Sequence, residues 1–374
     1  MPRAPFRADH VGSLLRPNEV VEARARHVRG ELSDRELAAV EDRAIEALID
    51  TQQSLGLRSV TDGELRRENW SLDFISGLEG TRVVLREIPA TLRGGTQHPA
   101  RTMKVTTVVG KIRFNGHRLI EHFRFLGAHV RGATAKTTIP SPTMLISASR
   151  DWRESVDRTV YPDVQELYHD LGTAYAAAIR AFYDAGCRYL QLDDVNLAYL
   201  CDAAMRDAIK ARGDDPQALL DTWIRTLNTA MVGRPPDLAL TTHICRGNFR
   251  STWFAQGGYE AIAEAIFNRL DYDGYFLEYD SERAGGFEPL RFVPKGNKRI
   301  VLGLVTTKTG SLEDKVAIRR RIDAASRYVS MDQLCLSPQC GFASTHEGND
   351  LTDGQQWAKL GQIVELARDA WRDA

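Results

Sequence analysis

The chain has 374 residues, 43% hydrophobic and 26% charged, the proportions of a water-soluble globular protein rather than a disordered or membrane-embedded one. Its 49 Lys and Arg nearly cancel its 50 Asp and Glu, so nothing suggests the basic surface of a nucleic-acid or membrane binder, and a small-molecule function is the expectation. No apolar run approaches the roughly 18 residues of a spanning helix, and MPRAPFRADH lacks the apolar core of a signal peptide, so a cytoplasmic location is expected.

In chain order, short apolar stretches rich in β-branched and aromatic residues predict strands over residues 6–13, 57–63, 130–138, 188–193, 238–243, 274–279, 299–306 and 333–337. Helices are predicted between them. Residues 34–55 place Leu37, Val40, Ala44, Ile45, Leu48 and Ile49 on one face of a helix. Residues 162–185, 197–212, 217–231, 259–268, 311–329 and 353–371 behave similarly, and SLED at 311–314 offers a hydroxyl cap followed by acids. The alternation implies a parallel sheet, and the expected fold is an α/β (β/α)₈ TIM barrel spanning residues 1–374 as one domain. Residues 81–125 break the pattern: TRVVLREI and KVTTVVGKIRF read as antiparallel strands joined by RGGTQHPA, a β-rich hairpin insertion between the second and third barrel strands.

In such a barrel, reactive residues belong where strands end and loops begin. The polar residues collect there: DHVGS, TDGE, LDD, HIC, LEYDSE, TTK and SPQC each close a predicted strand. His243 and Cys245, two apart, point to the same side of an extended chain. With Glu278 and Cys340 they form an N, S, O, S donor set suited to zinc, since two thiolates select a borderline-soft metal. Zinc in that set carries a net charge of about −1, poor for making hydroxide and good for holding a substrate thiol as thiolate. The plain alternative for His243 and Cys245 alone is a buried core pair; Cys340 and Glu278 shift the balance toward a metal.

Five cysteines are an odd number without framework spacing, which points to reduced thiols; Cys187, Cys201 and Cys335 read as structural. Glu64, Asp193 and Asp194 could clamp an ammonium group or merely pair with Arg66 and Arg67 and cap helices. Ser13 and its neighbour Gly12 could admit a substrate carboxylate, or with His10 form only a tight turn. Lys308 is either a cation for an anionic substrate or a surface lysine, and His346 either a loop residue or a support for the metal ligands. Arg246, Asn248 and Arg250 could hold their loop or bind ligand.

The ordered set HVGS, TDGE, LQLDD, THIC, FLEYDSE, LGLVTTKTGSLED and LSPQCG resembles the catalytic C-terminal barrel of the cobalamin-independent methionine synthase family, over about residues 5–370. The resemblance implies a zinc-bearing (β/α)₈ barrel that activates homocysteine for methyl transfer from a methylated folate. By motif position His243, Cys245, Glu278 and Cys340 take the zinc; Ser13 with the backbone around Val11 receives the amino-acid carboxylate; Glu64 and Asp193 receive the ammonium group. The chain departs from the family where an aspartate–histidine pair is replaced by Thr306 and Lys308 and where the pterin-stacking tryptophan is Ser147, and its length leaves no room for the family's second barrel. The VTTKTG form resembles a short, single-barrel branch that includes epoxyalkane:coenzyme M transferases.

The expected activity is therefore zinc-dependent thiol S-methylation, methionine synthase-like, with a small-molecule thiol and an alkyl donor as partners. Lys308 or His346 would supply the proton to the leaving group. The alternatives are epoxide opening by coenzyme M or another thiol, and a noncatalytic zinc- or thiol-binding barrel. No nucleic-acid or membrane partner is expected, and a homo-oligomer is compatible with the sequence.

Overall fold

The computed structural model describes residues 4–88, 93, 101–343, 345 and 347–374. Ten strands lie among them: β1 (Ser59–Val60), β2 (Glu79–Ile88), β3 (Arg101–Arg113), β4 (Thr134–Ala135), β5 (Thr137–Pro140), β6 (Tyr189–Asp194), β7 (Ala239–Ile244), β8 (Gly274–Glu278), β9 (Arg299–Val305) and β10 (Leu334–Pro338). β5 to β10 form a six-stranded parallel sheet in sequence order, and β1 pairs in parallel with β4. Helices fill the connections, so the architecture is mixed α/β built on a parallel sheet, as expected of a TIM-barrel-like domain. β6 to β10 are buried along almost their whole length, which is why they read as continuous apolar runs rather than alternating ones.

The first predicted strand is not a ladder. Residues 6–13 make one parallel bridge, Ala8 to Leu336 on β10, with Asp9 N donating to Leu336 O at 3.0 Å and Leu336 N to Arg7 O at 2.8 Å. Side chains replace the rest of the ladder: Asp9 accepts from Phe6 N, His10 N, Ser59 Oγ and Tyr189 OH. Lys136, fully buried between β4 and β5, pairs with Asp9 at 3.3 Å and lies over the Phe276 ring at 4.1 Å. This polar cluster ties the N-terminal segment to β1, β5 and β6 from inside.

Two helix expectations need correction. The stretch 197–212 is two helices, Asn196–Tyr199 and Ala203–Ala211, because Asp202 caps the second by accepting from Ala204 N at 3.0 Å. The stretch 311–329 contains Lys315–Ala325, capped by Asp314 and not by Ser311, whose carbonyl instead accepts from Lys359 Nζ. The remaining long helices, Asp34–Ser54, Val164–Asp184, Pro216–Met231, Glu260–Arg269 and Asp353–Ala370, fall within two residues of expectation at each end. Two of them start with capping boxes, at Ser33 and Thr352.

β2 and β3 form an antiparallel ribbon, with Val84 opposite Val105. Residues 118–129, which begin within the predicted insertion and run past its end at 125, form a helix. Of the joining stretch RGGTQHPA only Arg93 lies within the described residues; it exchanges backbone hydrogen bonds with Trp253, at 2.7 and 3.0 Å. No helix among the described residues is long and apolar enough to cross a membrane.

Candidate metal centre and its cavity

The site sits where the strands end. Parallel register places Asp193 on β6 beside His243 on β7, and Glu278 is the last residue of β8. β7 stops at Ile244, and Cys245 begins the turn, anchored by its N–H to Asp194 O at 2.7 Å. Cys340 follows β10 by two residues. The donor atoms of His243, Cys245, Glu278 and Cys340 all lie within 4.8 Å of one another. The two sulfurs are 3.7 Å apart.

Four protein donors in so small a volume fit a metal ion, and the state of His243 strengthens the fit. It is 2% exposed, and among the described residues its ring nitrogens have no hydrogen-bond partner outside the donor set. A buried polar atom without a partner is costly, and a metal would satisfy it. Glu278 is fully buried and held on both oxygens. Oε1 accepts from Arg246 N at 2.8 Å and Asn248 Nδ2 at 2.6 Å, and Oε2 accepts from Arg283 Nη2 at 2.6 Å. Asn248 Nδ2 also lies 3.4 Å from Cys245 Sγ, so one amide braces two donors.

The electrostatics favour one ready thiolate. A hydrogen bond from Cys340 holds the Cys245 thiol well below its ordinary range, while the same contact and burial push Cys340 up: the pair shares a proton. Burial lowers His243, but the Cys245 thiolate, Asp193 and Glu278 more than offset it, leaving the imidazole raised. Burial raises Glu278, opposed chiefly by Arg283. By contrast Cys187, Cys201 and Cys335 are buried away from the centre with thiols pushed up to about 12, 11 and 11 by desolvation, in keeping with inert packing roles.

A recess of about 430 Å³, counting its open mouth, adjoins the donors. It brings together Val11, Ser13, Glu64 and Asp193 with His243, Cys245 and Cys340. The backbone packs closely here: a Cβ on Gly341 would lie 1.9 Å from Ser13 Oγ, and one on Gly12, at φ 145°, would lie 2.9 Å from Thr138 Cγ2. Glu64 is a non-glycine residue at φ 60°, a strained backbone conformation. Its carboxylate accepts from Thr138 Oγ1 at 2.7 Å and lies 3.5 Å from Arg67, while Arg16 holds its carbonyl at 3.1 Å. Arg66, the other candidate partner, pairs with Asp42 instead. Asp193 accepts from Gln191 Nε2 at 2.7 Å, and burial, with Glu64 nearby, lifts its carboxyl to about 7.

Other candidates fall elsewhere. Asp194 faces away, accepting from Thr143 Oγ1 and Leu197 N, and so serves the local turn. His10 Nε2 sits 3.2 Å from Ser59 O inside the buried cluster of Asp9 and Lys136. Lys308 does not line the recess: its ammonium pairs with Asp280 at 3.0 Å in a separate groove that also holds Arg283 and Trp253. His346 lies outside the described residues. Two residues of the site were not singled out from sequence, Trp70 on the wall of the recess and Arg283 behind Glu278. The spacing Glu278-x₄-Arg283 in LEYDSER was the available signal for the second; Trp70 in RRENW gave none.

The family described as the cobalamin-independent synthase catalytic domain matches residues 6–368. The chain belongs to that family. Membership places it among cobalamin-independent methyltransferases of the methionine synthase type. A Bacillus subtilis relative, YxjH, itself uncharacterized, is 49% identical over 370 residues, covering 99% of this chain and 96% of that protein. A solved Listeria monocytogenes structure, described as a candidate vitamin-B12-independent methionine synthase, is 40% identical with a TM-score of 0.78 and covers 99% of both chains. A B12-independent methionine synthase from Shewanella sp. W3-18-1, solved with selenomethionine, shares the fold at 18% identity, with a TM-score of 0.71 and 97% of each chain covered.

Proposed function

We propose that this protein is a zinc-dependent S-methyltransferase that converts homocysteine, or a closely related amino-acid thiol, into its methyl thioether. The observation that carries this reading is the convergence of His243, Cys245, Glu278 and Cys340, whose donor atoms all lie within 4.8 Å of one another. Zinc in such a site supplies a low-charge centre that keeps a substrate thiol ionised at neutral pH.

The residues of the recess account for the remainder of the substrate. Ser13, with the backbone around Val11, takes the carboxylate; Glu64 and Asp193 take the ammonium group, holding the thiol toward Cys245 and Cys340. Lys308, paired with Asp280 at 3.0 Å, is assigned as the proton source for the leaving group. The relatives described as methionine synthases support the choice of thiol. This reading also takes residues 1–374 as one closed (β/α)₈ barrel, with residues 81–125 inserted after its second strand. Two carboxylates facing the recess suit an ammonium-bearing thiol and repel the sulfonate of coenzyme M, which sets epoxide opening behind methyl transfer.

The test is to incubate zinc-loaded protein with homocysteine or coenzyme M and, in turn, a methylated folate, methylcobalamin or a small epoxide, and to follow thioethers by mass spectrometry. Methionine formed from homocysteine supports the reading. Thioether only from coenzyme M and an epoxide, or none from any pair, overturns it.

A further inference from the structure

We propose that Arg283 is a positioning residue of the metal centre, fixing Glu278 in the orientation in which it can serve as a ligand; this rests on the metal reading above. Its Nη2 bridges two buried carboxylates, donating to Glu278 Oε2 at 2.6 Å and Asp280 Oδ1 at 3.0 Å. The three side chains are 5%, 0% and 4% exposed, so the contact is buried. The guanidinium also stacks over the Trp253 ring at 4.7 Å, which fixes its plane.

The geometry of Glu278 gives the contact its meaning. An ionised carboxylate offers about four lone-pair directions, and Arg246 N, Asn248 Nδ2 and Arg283 Nη2 occupy three. One direction is left for a metal, so the carboxylate is presented as a single-oxygen ligand. Arg283 is the only one of the three donors that carries charge and the only one on Oε2 among the described residues. Arg246 does not substitute for it: its guanidinium lies over the Tyr259 ring at 4.7 Å and forms no salt bridge among the described residues. Asp280, whose other oxygen meets Lys308 at 3.0 Å and Thr306 at 3.0 Å, holds Arg283 from behind.

A double-mutant cycle on metal binding tests this. Zinc affinity is measured by chelator competition, and Co²⁺ absorption spectra are recorded, for wild type, Arg283→Met, Glu278→Ala and the double variant. Positioning through Glu278 predicts that Arg283→Met weakens zinc by about 10- to 100-fold, gives a Co²⁺ spectrum like that of Glu278→Ala, and has less than about twofold effect in the Glu278→Ala background. Arg283→Lys, which keeps the charge with poorer geometry, gives an intermediate loss and serves if the methionine variant does not fold. An equal loss in both backgrounds, or an unchanged affinity and spectrum, overturns the proposal. Wild type that binds neither metal defeats instead the metal reading on which it rests.

Discussion

Glu278 Oε1 accepts the backbone N–H of Arg246 at 2.8 Å, fastening the last residue of β8 to the turn that carries Cys245. The hydrogen bond joins two donors of the candidate centre that are 33 positions apart in the chain. It lets Glu278 set the turn as well as offer a ligand oxygen.

Glu278→Gln should therefore damage the protein even without metal. With its carbonyl toward Arg246 N and Asn248, the amide NH₂ faces Arg283, a buried donor against a donor. Metal-free Glu278→Gln is expected to be about 1–3 kcal/mol less stable in urea unfolding. Equal metal-free stability would show that the carboxylate is held for metal alone.

Glu64→Gln keeps the shape at a strained backbone position and removes the charge. If the carboxylate takes the substrate ammonium, KM for homocysteine rises about 10- to 100-fold, with a much smaller change in kcat. A change confined to kcat would remove Glu64 from substrate binding.

Asp193 gives a pH signature. Burial raises its carboxyl from 3.8 to about 7 in the folded protein. Its stabilising contribution is fully present below the unfolded value and is lost as pH rises toward 7. Wild type should thus lose stability relative to Asp193→Asn between about pH 4 and 7, and the gap should then stay level. The same ionisation makes KM for an ammonium-bearing thiol fall as pH rises through 7 in wild type and not in Asp193→Asn. Parallel stability profiles for the two proteins would contradict both statements.

His10 acts in the opposite sense. Burial, then the nearby Lys136, lowers the imidazole from 6.5 to about 4. Its contribution is present above 6.5 and lost as pH falls through 4. His10→Gln, which can still donate to Ser59 O, should flatten the acid side of the stability profile by about one proton per molecule. An unchanged slope would mean that His10 is not neutral in the folded protein.

Much of the architecture was legible because buried parallel strands are short apolar runs and the intervening helices carry a period of 3.6 residues. The donor set was legible for a related reason: His243, Glu278 and Cys340 stand at or just past strand ends, which sequence locates well. The first strand was misread because Asp9 gathers five donors on its side chain, and a side chain that replaces a ladder leaves the apolar pattern intact. The split of 197–212 turned on one cap, Asp202, inside a stretch of even helical character. Trp70 was not visible, and Arg283 was marked only by its spacing from Glu278, because their roles depend on the path of loops after β1 and β8, which no periodicity encodes.

The most direct test strips the protein of metal, restores zinc in known amounts, and measures methionine formed from homocysteine against zinc bound per chain. Activity should rise in proportion to bound zinc, saturate near one ion per chain, and be absent from Cys245→Ser and Cys340→Ser. Methyl transfer at the full rate in zinc-free protein, or in either cysteine variant, would contradict the assignment.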